Sequence, residues 1–130
     1  MQNLIHFISK LQNGQSIMAL YIVHNNSQFI IQFLNLLLRK GYIRGYKIKK
    51  KEKFSYIQIL LKYFKGIGVI KGLTVLSSIS QRFFLSYEEL SEINRYRSKT
   101  LIIVTSGYGL ITHEEALLRG VGGEVLLAIE

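Results

Sequence analysis

Thr105, Ser106, Gly107, Tyr108 and Gly109 form one segment in which two hydroxyls, a phenol and two residues without side chains follow one another. A turn of this composition exposes backbone amides and hydroxyls, which can meet 2′-hydroxyls and base edges on structured RNA. Its bland alternative is an ordinary strand-to-helix turn, and the remaining glycine of a dinucleotide fingerprint is missing. A second group is Lys47, Lys49, Lys50, Lys51 and Lys53, five ammoniums within seven residues beside Arg44. Lysine is a point charge without the bidentate fork of arginine, so such a cluster holds phosphates without reading sequence. The alternative is a solvated hairpin tip. His113, Glu114 and Glu115 bring a base and carboxylates together, so the rival function is a small enzyme acting on a phosphorylated substrate at the Gly107 turn and His113. Against it, Thr112 and Glu115 make a capping box, Glu suits the first turn of a helix, and adjacent helical positions point apart.

Composition narrows the chemistry further. The 130 residues include no Cys, Asp, Pro or Trp, and all eight acids are Glu. A disulfide framework, a zinc knuckle and a thiol nucleophile are therefore excluded, and a Ser-His-Asp triad lacks its third member. We expect no catalytic residue, no metal and no cofactor. The net charge of +9 is unevenly placed. Residues 1–65 carry eleven Lys or Arg against Glu52 alone, whereas residues 66–130 carry six against seven Glu. A basic half points to a polyanion, either nucleic acid or an anionic membrane surface. The richest apolar run, Phe29 to Leu38, is far shorter than a membrane span requires, so it reads as a core helix and no membrane partner is expected.

The elements that must position these groups are legible as periodicity. Leu4, Phe7, Ile8 and Leu11 share a helical face that Asn13-Gly14 would stop. Ile17 to Val23 reads as a strand, and Asn25-Asn26-Ser27 as the cap of a helix ended by Arg39-Lys40-Gly41. Tyr42 to Ile48 and Phe54 to Tyr63 read as a hairpin with Lys49 to Lys53 as its loop. After Lys65-Gly66-Ile67-Gly68 come short strands at Leu73 to Leu76 and Arg82 to Leu85, a helix over Tyr87 to Tyr96 and a strand over Leu101 to Thr105. A helix from Thr112 to Gly120 and a strand over Glu124 to Ile129 close the chain. The expectation is an α+β fold of two small halves packed together. Residues 1–66 form the basic α-β-α-β-β half, and residues 67–130 a strand-rich half with short helices. Gly122 and Gly123, by lacking side chains, would admit another backbone or a ribose-phosphate.

The run Leu101–Ala116 (LIIVTSGYGLITHEEA), followed by Val121–Val125 (VGGEV), resembles the C-terminal signature of the ribosomal small-subunit protein eight family. Ser9–Gln15, Gly41–Ile43 and Leu61–Phe64 resemble that family's first-helix ending, second-helix end and mid-chain strand, so the resemblance covers nearly the whole chain. It implies a structural constituent of the small ribosomal subunit. The partners implied are the central domain of small-subunit ribosomal RNA and neighbouring ribosomal proteins, with no small-molecule substrate. By this resemblance, Thr105 to Gly109 and Thr112 make the site-specific RNA contact, Gly122, Gly123 and Glu124 support it, and Ser9, Lys10, Asn13 and Arg82 join the lysine cluster in holding RNA. The chain departs from the family where Ser-Thr-Ser-Lys-Gly is usual, because Tyr108 stands in place of the ammonium. Tyr108 can replace that charge by stacking on a base, a contact worth ~1–3 kcal/mol. Ser78-Ile79-Ser80 replaces an Arg-Pro-Gly turn. The absence of Pro, the abundance of Ile, Lys and Tyr and the lack of a leader look like the product of an AT-rich organellar genome, which implies a mitochondrial ribosome, with plastid or bacterial cytoplasm as alternatives.

Overall fold

The computed structural model describes residues 2–77, 80–94, 100–105 and 107–130, and the chain divides into two compact units, Gln2–Ile70 and Lys71–Glu130. Both mix helices with antiparallel sheet, the α+β class expected. In the first unit the order is α1 (Gln2–Ser16), β1 (Tyr21–Asn25), α2 (Gln28–Arg39), β2 (Ile43–Lys51) and β3 (Phe54–Leu61), then a small hairpin of β4 (Tyr63–Phe64) and β5 (Ile67–Gly68). The main sheet has the order β1-β3-β2, so β3 is central and the lysine-bearing β2 is an edge.

Leu4, Phe7, Ile8 and Leu11 of α1 and Ile30, Phe33, Leu34 and Leu37 of α2 are buried, as are Ile57, Ile59 and Leu61 on alternate positions of β3. The period-3.6 stripes of the helices thus have a period-2 sheet face beneath them. Phe7 meets Phe33 edge-on, with ring centroids 5.7 Å apart. The end of α2 is a Schellman turn at Gly41: Tyr42 N–H donates to the Leu37 carbonyl and Gly41 N–H to that of Leu38.

Several boundaries differ from those expected. Gly14 does not end α1, which continues to Ser16; a Cβ at position 14 would lie 2.5 Å from Ile22 Cγ2, so this glycine serves close packing. The chain turns instead at Met18, whose φ is +60°, while Ala19 N–H donates to the Gly14 carbonyl. Residues 17–20 therefore lie outside β1. Tyr63 hydroxyl pins this turn by donating to the Ala19 carbonyl at 2.5 Å. Lys49, Lys50 and Lys51 are not loop but strand, paired with Tyr56, Ser55 and Phe54, and only Glu52 and Lys53 make the turn. Lys65-Gly66 is the tight turn of β4–β5, within the first unit rather than between two halves.

The second unit contains β6 (Leu73–Val75), β7 (Phe84–Leu85), α3 (Tyr87–Asn94), β8 (Thr100–Thr105), β9 (Gly109–Thr112), α4 (His113–Arg119) and β10 (Gly123–Ile129). Its sheet runs β6-β10-β8-β9, with β7 also paired to β10. Leu85, Leu90, Leu101, Ile103, Ile111, Ala116, Val125 and Ala128 form its core. Ser86 opens α3: Glu89 N–H donates to Ser86 Oγ at 3.3 Å and Ser86 hydroxyl donates to Glu89 Oε1 at 3.1 Å. The end expected for α3 at Tyr96 and the Ser78-Ile79 part of the replaced turn lie outside the described residues. Gly109–Thr112 is a strand, where the sequence places Gly109 in a turn and Thr112 at the start of the helix.

Candidate nucleic-acid interface

The Thr105–Gly109 segment is the tip of the β8–β9 hairpin. Val104 pairs with Leu110 and Thr105 with Gly109, and Gly107 and Gly109 have φ values of +94° and +70°. Nothing lies within 4 Å of a Cβ built on either glycine, so their need is set by the backbone angle and the tip remains open. Ser106 and the Thr105 side chain lie outside the described residues. Tyr108 projects half exposed, and the Arg119 guanidinium lies over its ring, 4.6 Å from the centroid. Arg119 closes α4, eleven residues further along the chain, and no local pattern links it to the turn. It supplies a cation beside Tyr108, the position where the ammonium is absent.

The neighbouring strand brings further predicted residues to the same region. Glu124 pairs with Val104 across β8–β10 and with Phe84 across β7–β10. Arg82 Nη1 stands 3.6 Å from Glu124 Oε1, the arginine side chain largely exposed and the glutamate largely covered. Gly122 admits a backbone rather than a ribose: a Cβ there would collide with the Leu85 carbonyl and lie 2.9 Å from Ser86 Cα. Gly123 opens β10 opposite Leu85.

Thr112, expected as an RNA contact, has a structural use instead of an exposed surface. It is fully buried, and its Oγ1 accepts from Glu115 N–H to cap α4, leaving it no surface to offer. His113 is 6% exposed, and its Nδ1 accepts from Leu101 N–H at 3.0 Å. A base buried with one nitrogen committed to the backbone is a strut between β8 and α4, not an acid-base group facing a substrate. Among the described residues, no cluster of three His, Cys, Asp or Glu could hold a metal, and no helix is long and apolar enough to cross a membrane.

In the first unit, Ser9, Lys10 and Asn13 are exposed on α1, with Lys10 Nζ donating to the Val23 carbonyl on β1 at 3.2 Å. They belong to the β1 edge, whereas Lys47, Lys49, Lys50 and Lys51 lie on the opposite β2 edge, with Lys53 in the turn. The two sets do not form one cluster. His24, beneath the same β1 edge, is 3% exposed and meets Phe7 edge-on. Burial first, then the charge of Lys10 and His6, holds its imidazole below the ordinary value of 6.5.

A basic α+β chain with an open, glycine-bearing hairpin tip that carries Tyr108, and with Thr112 and His113 held in structural bonds, has the make-up of an RNA-binding protein. The family model for ribosomal protein S8 matches residues 2–129. The chain is 31% identical over 129 residues to small ribosomal subunit protein uS8m of Acanthamoeba castellanii, covering 99% of both chains. It is 30% identical to uS8 of Ehrlichia chaffeensis, over 95% of this chain and 93% of that one. With uS8 of Zymomonas mobilis the identity is 32%, over 94% and 92%. The chain belongs to the ribosomal protein S8 family.

Proposed function

We propose that this chain is a non-catalytic constituent of the small ribosomal subunit that binds the central domain of the subunit's RNA and supports assembly and translation. The observation that carries the reading is the hairpin tip: the family match runs through it, and it presents glycine backbone, Tyr108 and Arg119 to solvent on a sheet-anchored support. Thr105, Ser106, Gly107, Tyr108 and Gly109 make the site-specific contact. Gly122, Gly123 and Glu124 support it, with Glu124 also orienting Arg82. Lys10, Asn13 and the Lys47 to Lys53 cluster hold phosphates. Neighbouring small-subunit proteins are further partners, a reading supported by exposed Ile17, Leu20, Phe64 and Ile67 in the first unit. A mitochondrial ribosome is the location we infer, supported by the uS8m relative and by the composition bias.

The test is binding to central-domain RNA at fixed salt. Ser106→Ala and Tyr108→Ala are expected to weaken it, the latter by ~1–3 kcal/mol, while Tyr108→Phe keeps the ring and stays near wild type. Equal affinity for all these proteins would refute the assignment of the tip.

A further inference from the structure

Strand alternation divides the first unit's sheet into two faces. Ile57, Ile59 and Leu61 point to the helices, and their register partners Ile48, Tyr46 and Ile43 share that side, as the bond from Tyr46 hydroxyl to Asn35 Oδ1 of α2 attests. The opposite face therefore carries Lys47, Lys49 and Lys51 of β2, Phe54 and Tyr56 of β3, and Tyr21 of β1. Lys51 lies directly across from Phe54 and Lys49 from Tyr56. Phe54 is 76% exposed and Tyr21 47%, values far from those of core aromatics. The lysines repeat every second residue, roughly 6.6 Å apart along the strand. The only acid among residues 1–65 is Glu52, at the hairpin turn.

We propose that this sheet face, opposite the one that packs on α1 and α2, binds an unpaired RNA strand, with phosphates along Lys47, Lys49 and Lys51 and bases stacked on Phe54, Tyr56 and Tyr21. The proposal rests on the chain being an RNA-binding protein, and it adds a second site and a strand type to that reading. Charge complementarity selects the occupant: a row of ammoniums beside the exposed rings of Phe54 and Tyr21 and the half-buried ring of Tyr56 matches a chain that alternates phosphate and aromatic base. A duplex would satisfy the lysines but keep its bases stacked on one another, out of reach of the rings. An apolar protein segment would cover the rings but strand three cations. Asn25, across from Tyr56, and Gln58, across from Lys47, add amide groups for base edges. A groove of about 750 Å³ at the turn end, walled by Val23, Asn25, Lys51, Glu52, Phe54 and Tyr56, leaves room for one base.

The experiment measures binding of the full chain to single-stranded octaribonucleotides, oligo(U) and oligo(A), and to a blunt RNA duplex of the same length. Tyrosine emission serves as one signal, since the chain has no Trp. Phe54→Ala and Tyr56→Ala are each expected to weaken octamer binding about fivefold or more, with Tyr56→Phe close to wild type. Lys49→Gln and Lys51→Gln should each lower the slope of log affinity against log salt by about 0.7, whereas Lys65→Gln, in the β4–β5 turn, should leave it nearly unchanged. The high exposure of Phe54 makes its truncation safe for the fold, and a thermal midpoint for each variant verifies this. Octamer affinity indifferent to both ring substitutions would overturn the proposal, as would equally tight, ring-independent binding of the duplex. So would loss of a neighbouring ribosomal protein from the Phe54→Ala chain with octamer binding intact. In those cases Tyr108-dependent binding of central-domain RNA would still stand, whereas a wild-type chain that binds neither octamer nor central-domain RNA removes the ribosomal reading itself.

Discussion

Arg119 lies over the Tyr108 ring and so places a cation beside the hairpin tip from elsewhere in the fold. The tyrosine was legible in the sequence as part of a turn; the arginine beside it was not, because the register of β9 and the length of α4, rather than any spacing rule, bring it there. Thr112 and His113 illustrate the converse. Their types and neighbours read as chemistry, yet burial turns one into a helix cap and the other into an acceptor for Leu101 N–H. His24 has a measurable consequence. Its folded value lies below 6.5, so the unfolded chain binds the proton more readily; the stability it contributes is complete above about pH 6.5 and is lost as pH falls toward the lowered folded value. Thermal midpoints measured between pH 7.5 and 5 are expected to fall, and His24→Phe, which keeps a ring against Phe7, should flatten that fall. An identical pH profile for the variant would show that His24 does not titrate on unfolding.

Among the elements, long periodic segments were legible and their ends were not. The stripe of α1, the whole of α2, and the cores of β3, β8 and β10 follow directly from where apolar residues recur. Lys49 to Lys51 read as loop because lysine is depleted in strands, but the hydrogen-bond register with Phe54 to Tyr56 overrides that local preference on an exposed edge. Gly14 read as a stop because glycine commonly ends helices; its contact with Ile22 comes from a strand that sequence spacing cannot place. Gly122 was read correctly as a close-approach residue, although what approaches is the Leu85–Ser86 backbone. Gly122→Ala must push that backbone away, and an overpacking cost of ~1–3 kcal/mol is expected in chemical denaturation, with the β7–β10 pairing disturbed. Unaltered stability would mean that β7 moves aside without cost. A variant at Tyr108, by contrast, should lose affinity and keep its denaturation midpoint, which separates support of the tip from contact at the tip.

At the scale of the whole molecule, a resemblance along nearly the full chain made the family legible, and the match over residues 2–129 establishes it. The α+β order of the first unit was also legible. The division at Ile70 was not, because Gly66 signals a tight turn as strongly as it signals a junction. A chain with +10 over residues 1–65 is suited to holding a polyanion, and its place in a ribonucleoprotein is what matters most. The direct measurement is sedimentation of native extract through a density gradient at increasing salt, following this chain by mass spectrometry alongside small-subunit RNA. Co-migration with the small subunit through moderate salt is the result predicted; a free peak near the chain's own 15.0 kDa at low salt would contradict a ribosomal role.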